Sequence, residues 1–404
     1  MEALFEISNR LIQSAKTDFK RSLLDEIDWN MHLIEIRGSR GVGKTTLMLQ
    51  KAQEIKKKGH KVIYVSLDLP YFFTQSLFDF ANTFVKYGGE YLFMDEIHRY
   101  PSKHKNSDWS LELKNIKDSF PELKIVYSGS SILHLFKGGG DLSRRKASYL
   151  LSGLSFREYL SLNNIIQTNA ITFNDLLTNH TDIASELTQK FKPIPHFKNY
   201  LKTGYYPFYK NNEAVYYHQL QQVINLIIDT DLPYLTSVST QAKEQLKRLL
   251  GAISTTVPYI PNMKNLGTLI EVSDHRTLLK YLQILEEAQI ILLVKSDAKG
   301  NKQLQKPEKI FIQNTNLMYA LGMNNTEIGT LRETFFYNQL SNTQRIYYTE
   351  KADFLVNQQF IFEVGGKNKN KKQIAQIDQA FVVADDIEIG FGNKIPLWLF
   401  GMLY

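Results

Sequence analysis

The first 130 residues hold four short apolar runs, at 32–37 (HLIEIR), 61–68 (KVIYVSLD), 91–96 (YLFMDE) and 124–127 (KIVY). Each is rich in β-branched or aromatic residues, and a polar or glycine-rich stretch follows it. Runs of this length and composition read as buried strands. Between the first two, residues 46–58 repeat Leu47, Leu49, Ala52 and Ile55 at helical spacing, Lys56 to Lys58 crowd the last turn, and Gly59 follows as a C-cap. Buried strands alternating with helical stretches predict an α/β domain on a parallel sheet over residues 1–155.

Beyond 155 the pattern changes. Residues 156–235 alternate helical periodicity with polar loops, as in Leu160–Thr168 and Tyr216–Asp231, and predict a helical lid or connector. Over 236–322 a helix Ala242–Ser254 and a short piece Met263–Ile270 precede HRTLLKYLQILEEAQ, which sets Leu278, Leu279, Leu282 and Leu285 on one face behind a Ser273 or Asp274 N-cap. A strand Ile290–Lys295, a turn Ala298–Asn301 and a strand Lys309–Ile312 follow. Helices succeeded by such a hairpin predict a winged helix-turn-helix. Residues 323–404 predict a small α/β unit: a helix opening at Leu331, then strands 352–356 and 360–364 around Asn357-Gln358-Gln359.

Composition narrows the chemistry. A chain of 404 residues exceeds one core, and its net charge of +7 makes an anionic partner worth testing against a plain excess of surface lysine. The absence of cysteine excludes disulfides, thiol nucleophiles and thiolate metal sites, and suits a cytoplasmic location. Glu2 and Glu6 stand where a secretory leader is basic and then apolar, and no apolar run approaches the roughly 18 residues of a membrane span.

Residues 38–46, GSRGVGKTT, carry the most specific pattern. Gly38, Gly43, Lys44 and Thr45 match G-x-x-x-x-G-K-[ST], after a predicted strand and at the head of a predicted helix. Small residues let the backbone N–H groups of Ser39, Arg40, Gly41, Val42, Gly43 and Thr46 close around phosphate oxygens at a helix N-terminus. Lys44 is placed for the β- and γ-phosphates and the Thr45 hydroxyl for Mg²⁺. The run Tyr91–Glu96 supplies the other half: Asp95 is the candidate metal-holding acid and Glu96 the candidate general base for water. Asp68 reads as a turn residue before Pro70, with a supporting polar role as the alternative. The strand at 124–127 ends in Ser128-Gly129-Ser130-Ser131, where Ser130 is a candidate γ-phosphate sensor.

These pieces, GSRGVGKTT, YLFMDEIHRY, IVYSGSSILHL and DLSRRKASYLLSGLSFREYL, resemble the AAA+-like branch of P-loop ATPases. More closely they resemble a large bacterial and archaeal family of ATPases with a C-terminal domain of unknown function. The resemblance covers most of the chain, with its specific motifs in the first half. The family's Gly-Arg pair is here Arg144-Arg145, and its Pro-Leu-Ser-Phe-x-Glu is Gly153-Leu154-Ser155-Phe156-Arg157-Glu158. The resemblance implies ATP as the nucleotide, since no Asn-Lys-x-Asp guanine motif is present, and Mg²⁺ as cofactor. By analogy Arg145 becomes an arginine finger or sensor in its own subunit or a neighbour's, with a basic surface loop as the plain alternative.

Two further features bear on partners. His275, Arg276, Lys280 and Gln283 on the capped helix, with Lys299 and Lys302 on the wing, form a candidate DNA face, against which stand Glu286-Glu287 and protein docking as the other use of such folds. The aromatics Tyr200, Tyr205, Tyr206, Phe208 and Tyr209 form a base-stacking surface or, more commonly, core. At the C-terminal end Asp353, Glu363 and the accessory Glu333 resemble the acids of a PD-(D/E)xK nuclease. The lysine expected at 365 is glycine, which leaves Lys367 as the substitute and marks the site as degenerate. With the resemblance, the sequence predicts a Mg²⁺-dependent ATPase acting as a motor or switch; the alternatives are an ATP-regulated DNA-binding or DNA-processing protein and a nucleotide-gated scaffold that is not an enzyme, with DNA, a protein or further copies of itself as candidate partners.

Overall fold

The computed structural model describes residues 1–100, 109–132, 142, 144–235, 239–297, 306–322, 327–374 and 376–404. They divide into two compact units, 1–152 with 229–238, and 153–228 with 239–404.

The first unit is built on β1 (Leu33–Gly38), β2 (Val62–Ser66), β3 (Tyr91–Asp95), β4 (Lys124–Ser130) and β5 (Ala147–Leu150). The strands run parallel in the order β2-β3-β4-β1-β5. Consecutive residues of β1, β2 and β3 are buried, so both faces of the sheet are covered there, as the apolar runs predict. The helix Lys44–Lys57 buries Leu47, Ala52 and Ile55 of the predicted stripe, with Met48 buried in place of Leu49, which is half-exposed. Strand register brings Gly38 beside Ser130 and Ser66 beside Asp95, so the C-terminal ends of β1, β3 and β4 share one edge. In open parallel sheets that edge is where ligands bind.

The second unit begins with Ser155, whose Oγ accepts from the Glu158 N–H while Ser155 N–H donates to Glu158 Oε2. Ser-Phe-Arg-Glu is thus a capping box that opens the helix Phe156–Leu162. Helices Phe173–Thr178, His180–Lys190, Pro193–Thr203 and Glu213–Leu226 follow, then Thr240–Ser254, Met263–Leu269 and His275–Glu287. Asp274 caps the last of these through the N–H groups of Arg276 and Thr277. An antiparallel pair, β6 (Ile291–Val294) and β7 (Lys309–Ile312), comes next, and the turn predicted to join it, with Lys299 and Lys302, lies outside the described residues. The helix Ile328–Leu340 precedes a mixed sheet of β8 (Ile346–Tyr347), β9 (Phe354–Val356), β10 (Phe360–Gly365), β11 (Ala380–Ala384) and β12 (Lys394–Pro396), in the order β12-β11-β10-β9-β8. Asn357 and Gln358 take left-handed backbone angles in the two-strand turn at 357–359, as the right-handed twist of a hairpin requires.

Phe156, Phe197, Tyr200, Phe335, Phe336 and Trp398 share one core, which spans the predicted connector and the C-terminal sheet. Tyr200, Tyr205 and Tyr206 are buried, and Tyr200 donates to the Leu154 carbonyl over 2.6 Å, so these rings are interior rather than a stacking surface. Among the described residues no helix is long and apolar enough to cross a membrane.

Candidate functional site

The P-loop turns from β1 into the helix Lys44–Lys57. Gly43 stands at the helix N-cap with φ 101°, a left-handed angle that a side chain rarely adopts. Lys44 is 6 % exposed, and its Nζ donates to the Gly38 and Ser39 carbonyls over 2.9 and 3.0 Å. Burial pushes its ammonium pKa below the ordinary value, with the nearby Glu96 and Asp95 charges opposing. A buried cation held by neutral carbonyls at a helix N-terminus is a site suited to an anion. Ser39 and Val42 are buried, Gly43 half-buried, and Gly41, Thr45 and Thr46 exposed, so Gly41 and the two threonines are the residues of the loop open to a ligand.

Thr45 Oγ1 donates to Asp95 Oδ2 over 2.6 Å. Asp95 ends β3, is buried, and collects further donors: the Tyr64 hydroxyl at 2.7 Å, Ser128 Oγ, and the Glu96 N–H at 3.0 Å. These donors hold the carboxylate in one orientation beside the helix N-terminus. Hydroxyl and carboxylate oxygens paired in this way are the hard donor set that Mg²⁺ takes, and it keeps waters for its remaining positions. The residues therefore fit a Mg²⁺–nucleotide.

Glu96 follows with left-handed backbone (φ 54°, ψ 47°). A non-glycine residue held there is a local strain of the kind found at active sites, and here the surrounding hydrogen bonds maintain it. Its side chain is 23 % exposed, with Oε2 3.2 Å from His98 Nε2. Asp68 lies in a turn, where Ser66 Oγ donates to it over 2.6 Å.

Ser130 lies beside Gly38, at the phosphate edge. Ser128, two residues earlier, is the serine that reaches Asp95. Arg145 is not brought to this edge. It precedes β5, whose Ala147 pairs with Ile34 near the start of β1, and its guanidinium pairs with the exposed Asp118. At about 3.3 Å per residue that is well over 10 Å along the sheet from the P-loop. The sequence reading missed four residues. Tyr64 and Ser128 orient Asp95. Buried Arg21 donates to the Val42 and Ser152 carbonyls over 2.7 and 2.8 Å, bracing the P-loop. Asp231 makes a bidentate pair with Arg40. Only Tyr64 offered a signal, a lone polar tip within an apolar strand.

In the second unit His275, Arg276 and Lys280 are exposed on the helix His275–Glu287, Gln283 is half-buried, and Glu286 is turned onto Lys295 at 3.3 Å. At the C-terminal sheet, Asp353 accepts from the Val364 N–H over 2.8 Å, and Lys309 Nζ lies 4.0 Å from Asp353 and 3.9 Å from Glu333. The cation on Glu363 is Lys369 at 2.5 Å, not Lys367, whose backbone carbonyl instead accepts from Lys394. Glycine at 365 makes this possible: a Cβ there would lie 2.8 Å from the Lys369 stem. Among the described residues no three His, Asp or Glu side chains converge as a metal site.

Residues 30–160 match the family model described as an AAA domain, and residues 194–327 match one described as a domain of unknown function. The chain thus carries an AAA-type P-loop ATPase domain followed by a domain of unknown function. No curated protein matches it significantly. Among solved structures it is similar to the Walker-type ATPase of Pyrococcus abyssi, at 13% identity and a TM-score of 0.40 over 80% of this chain and 97% of that one. It is similar also to DnaA from Aquifex aeolicus bound to AMPPCP, at 16% identity and a TM-score of 0.27 over 70% of this chain and 88% of that one. The Orc1 protein of Aeropyrum pernix in complex with DNA matches at 11% identity and a TM-score of 0.30 over 80% of this chain and 92% of that one.

Proposed function

We propose that the first unit binds and hydrolyses ATP with Mg²⁺ and passes its nucleotide state to the rest of the chain. The observation that supports this most directly is the Thr45–Asp95 contact beside a buried Lys44 at the C-terminal edge of a parallel sheet. The loop N–H groups and Lys44 hold the phosphates, and Thr45 and Asp95 hold the metal. Bound Mg²⁺ supplies charge neutralisation at the terminal phosphates. Glu96 accepts the proton of the attacking water, and its left-handed backbone turns the carboxylate out of the β3 run. Ser130 is the candidate sensor of the terminal phosphate. Arg145, at the other end of the sheet, serves hydrolysis only across an interface between copies of this chain.

A second reading makes the ATPase a regulator of DNA binding or processing. Support comes from the exposed His275, Arg276 and Lys280 on a capped helix ahead of a two-strand wing, in a winged-helix segment over 236–322. The segment 323–404 is read as a PD-(D/E)xK-like fold kept for binding, because Lys369 neutralises Glu363 and the acids do not converge. Residues 1–155 and 156–235 are the ATPase core and its helical connector in this scheme. Steady-state hydrolysis by the wild type, Lys44→Ala and Glu96→Gln, each with and without duplex and single-stranded DNA, tests both readings. ATP turnover lost in both variants supports the first. Stimulation by DNA in the wild type supports the second, and indifference to DNA removes it. A wild type that neither binds nor hydrolyses ATP defeats the proposal as a whole.

A further inference from the structure

The nucleotide site has a contributor from far along the chain. Asp231 ends a π-helical turn, Ile227–Asp231, and is fully buried in the first unit. Arg40 grips it with two hydrogen bonds, Nε to Oδ2 at 3.0 Å and Nη2 to Oδ1 at 2.9 Å. Arg99 Nη2 donates to Oδ1 at 3.2 Å. His98 Nε2 lies 3.6 Å from the same oxygen and 3.2 Å from Glu96 Oε2, at ion-pair distance but outside hydrogen-bond geometry.

The three side chains come from two loops. Arg40 belongs to the P-loop, and His98 and Arg99 to the turn that carries Glu96. One carboxylate therefore ties the phosphate cradle to the turn that presents the candidate base. The fork of a guanidinium on a carboxylate fixes orientation as well as distance, which a point charge does not. Burial pushes the Asp231 carboxyl up, but His98 and Arg40 outweigh it and hold its pKa down at about 2, so it is an anion throughout the physiological range. Convergence on Arg40 and on the neighbour of Glu96 ties the carboxylate to both halves of the site. Residues 228 and 239, on either side of this segment, belong to the second unit.

We propose that Asp231 is a positioning residue of the nucleotide site, setting Arg40 and the His98–Glu96 pair so that the rate of hydrolysis depends on the segment 229–238. This rests on the reading of the site as an ATPase. The test is kcat and KM for ATP, with nucleotide Kd from a fluorescent ATP analogue, for wild type, Asp231→Asn, Asp231→Glu, Arg40→Lys and the double variant Arg40→Lys/Asp231→Asn. Thermal unfolding of each is followed in parallel.

The inference expects kcat to fall about tenfold or more in Asp231→Asn, with Kd changed less than threefold. Arg40→Lys, which keeps the charge and loses the fork, falls similarly. The double variant falls no further than the worse single one, and Asp231→Glu recovers part of the rate. Wild-type kcat in Asp231→Asn, or losses that multiply in the double variant, overturns it. If Asp231→Asn does not fold, Arg40→Lys decides alone, and wild-type kcat there overturns the inference. Lys44→Ala separates the two levels: if it abolishes binding while Asp231→Asn turns over normally, the ATPase reading stands and the role of Asp231 falls. A wild type that does not hydrolyse ATP removes both.

Discussion

The Thr45 hydroxyl donates to Asp95 Oδ2 over 2.6 Å, joining the first turn of the P-loop helix to the end of β3. Two short-range sequence features, a strand ending in an acid and a glycine loop ending in Lys-Thr, meet only because β1 and β3 flank β4. The oxygens so paired are the ones that would share Mg²⁺. Asp95→Asn should therefore lower hydrolysis about a hundredfold or more, the equivalent of several kcal/mol of charge stabilisation. It should also make nucleotide affinity insensitive to EDTA, whereas wild-type affinity should weaken when the metal is removed. Titration of a fluorescent nucleotide with and without chelator checks this, and a variant with the wild-type metal dependence would remove Asp95 from the metal site.

Glu96 is partly exposed and held in left-handed backbone, so its carboxylate is available to water while Asp95 beside it is enclosed. The two neighbouring acids thus have different environments and different proposed tasks. Glu96→Gln should bind ATP with near wild-type affinity and turn over about 100- to 10,000-fold more slowly, the usual range for loss of a general base. Single-turnover hydrolysis beside equilibrium binding measures both. Equal turnover in the variant would transfer the role to another group.

Tyr64 and Ser128 reach Asp95 from β2 and β4. A hydrogen bond to a buried carboxylate contributes about 1.5–3 kcal/mol. Tyr64→Phe should consequently reduce turnover by roughly tenfold. In the double variant with Asp95→Asn the loss should not add to that of Asp95→Asn alone, because the hydroxyl acts through that carboxylate. Additive losses in a double-mutant cycle would show that Tyr64 acts elsewhere.

What could be read in the sequence follows the range of each interaction. The P-loop, the Asp95-Glu96 pair and the Asp274 cap are contiguous patterns whose chemistry is local, and the structure places each on the element expected of it. β5 escaped because ASYL is a half-exposed edge strand with no apolar run. Ser128 escaped for a different reason. Register pairs Met94 with Tyr127, so Asp95 meets Ser128, while Ser130 lies beside Gly38; strand ends alone do not fix register. Lys369 replaces the predicted Lys367 because the chain after Gly365 folds back over a missing Cβ. Asp231, nearly two hundred residues from Arg40, has no local signal and becomes visible only when the fold returns it to the P-loop.

Glu333, on the helix Ile328–Leu340, is largely buried within electrostatic reach of Asp353 and Glu363. Burial, and after it the Asp353 charge, pushes its carboxyl up to about 7, with Lys309 at 3.9 Å opposing. Its value in the unfolded chain is near 4.5. Between pH 4.5 and 7 the native state therefore keeps a proton that the unfolded state has released. The sign follows: this group's contribution is fully present below pH 4.5, and stability declines as pH rises through 7. Glu333→Gln keeps the volume and removes the ionisation, so it should flatten that decline. At pH 8 it should raise the stability of the second unit by roughly 2–3 kcal/mol at most. Denaturant unfolding of wild type and variant at about pH 5 and about pH 8 reads the difference. A variant less stable than wild type at the higher pH, with the slope unchanged, would mean that the ionised carboxylate is favoured by its lysine neighbours and that the acids of this site are already neutralised.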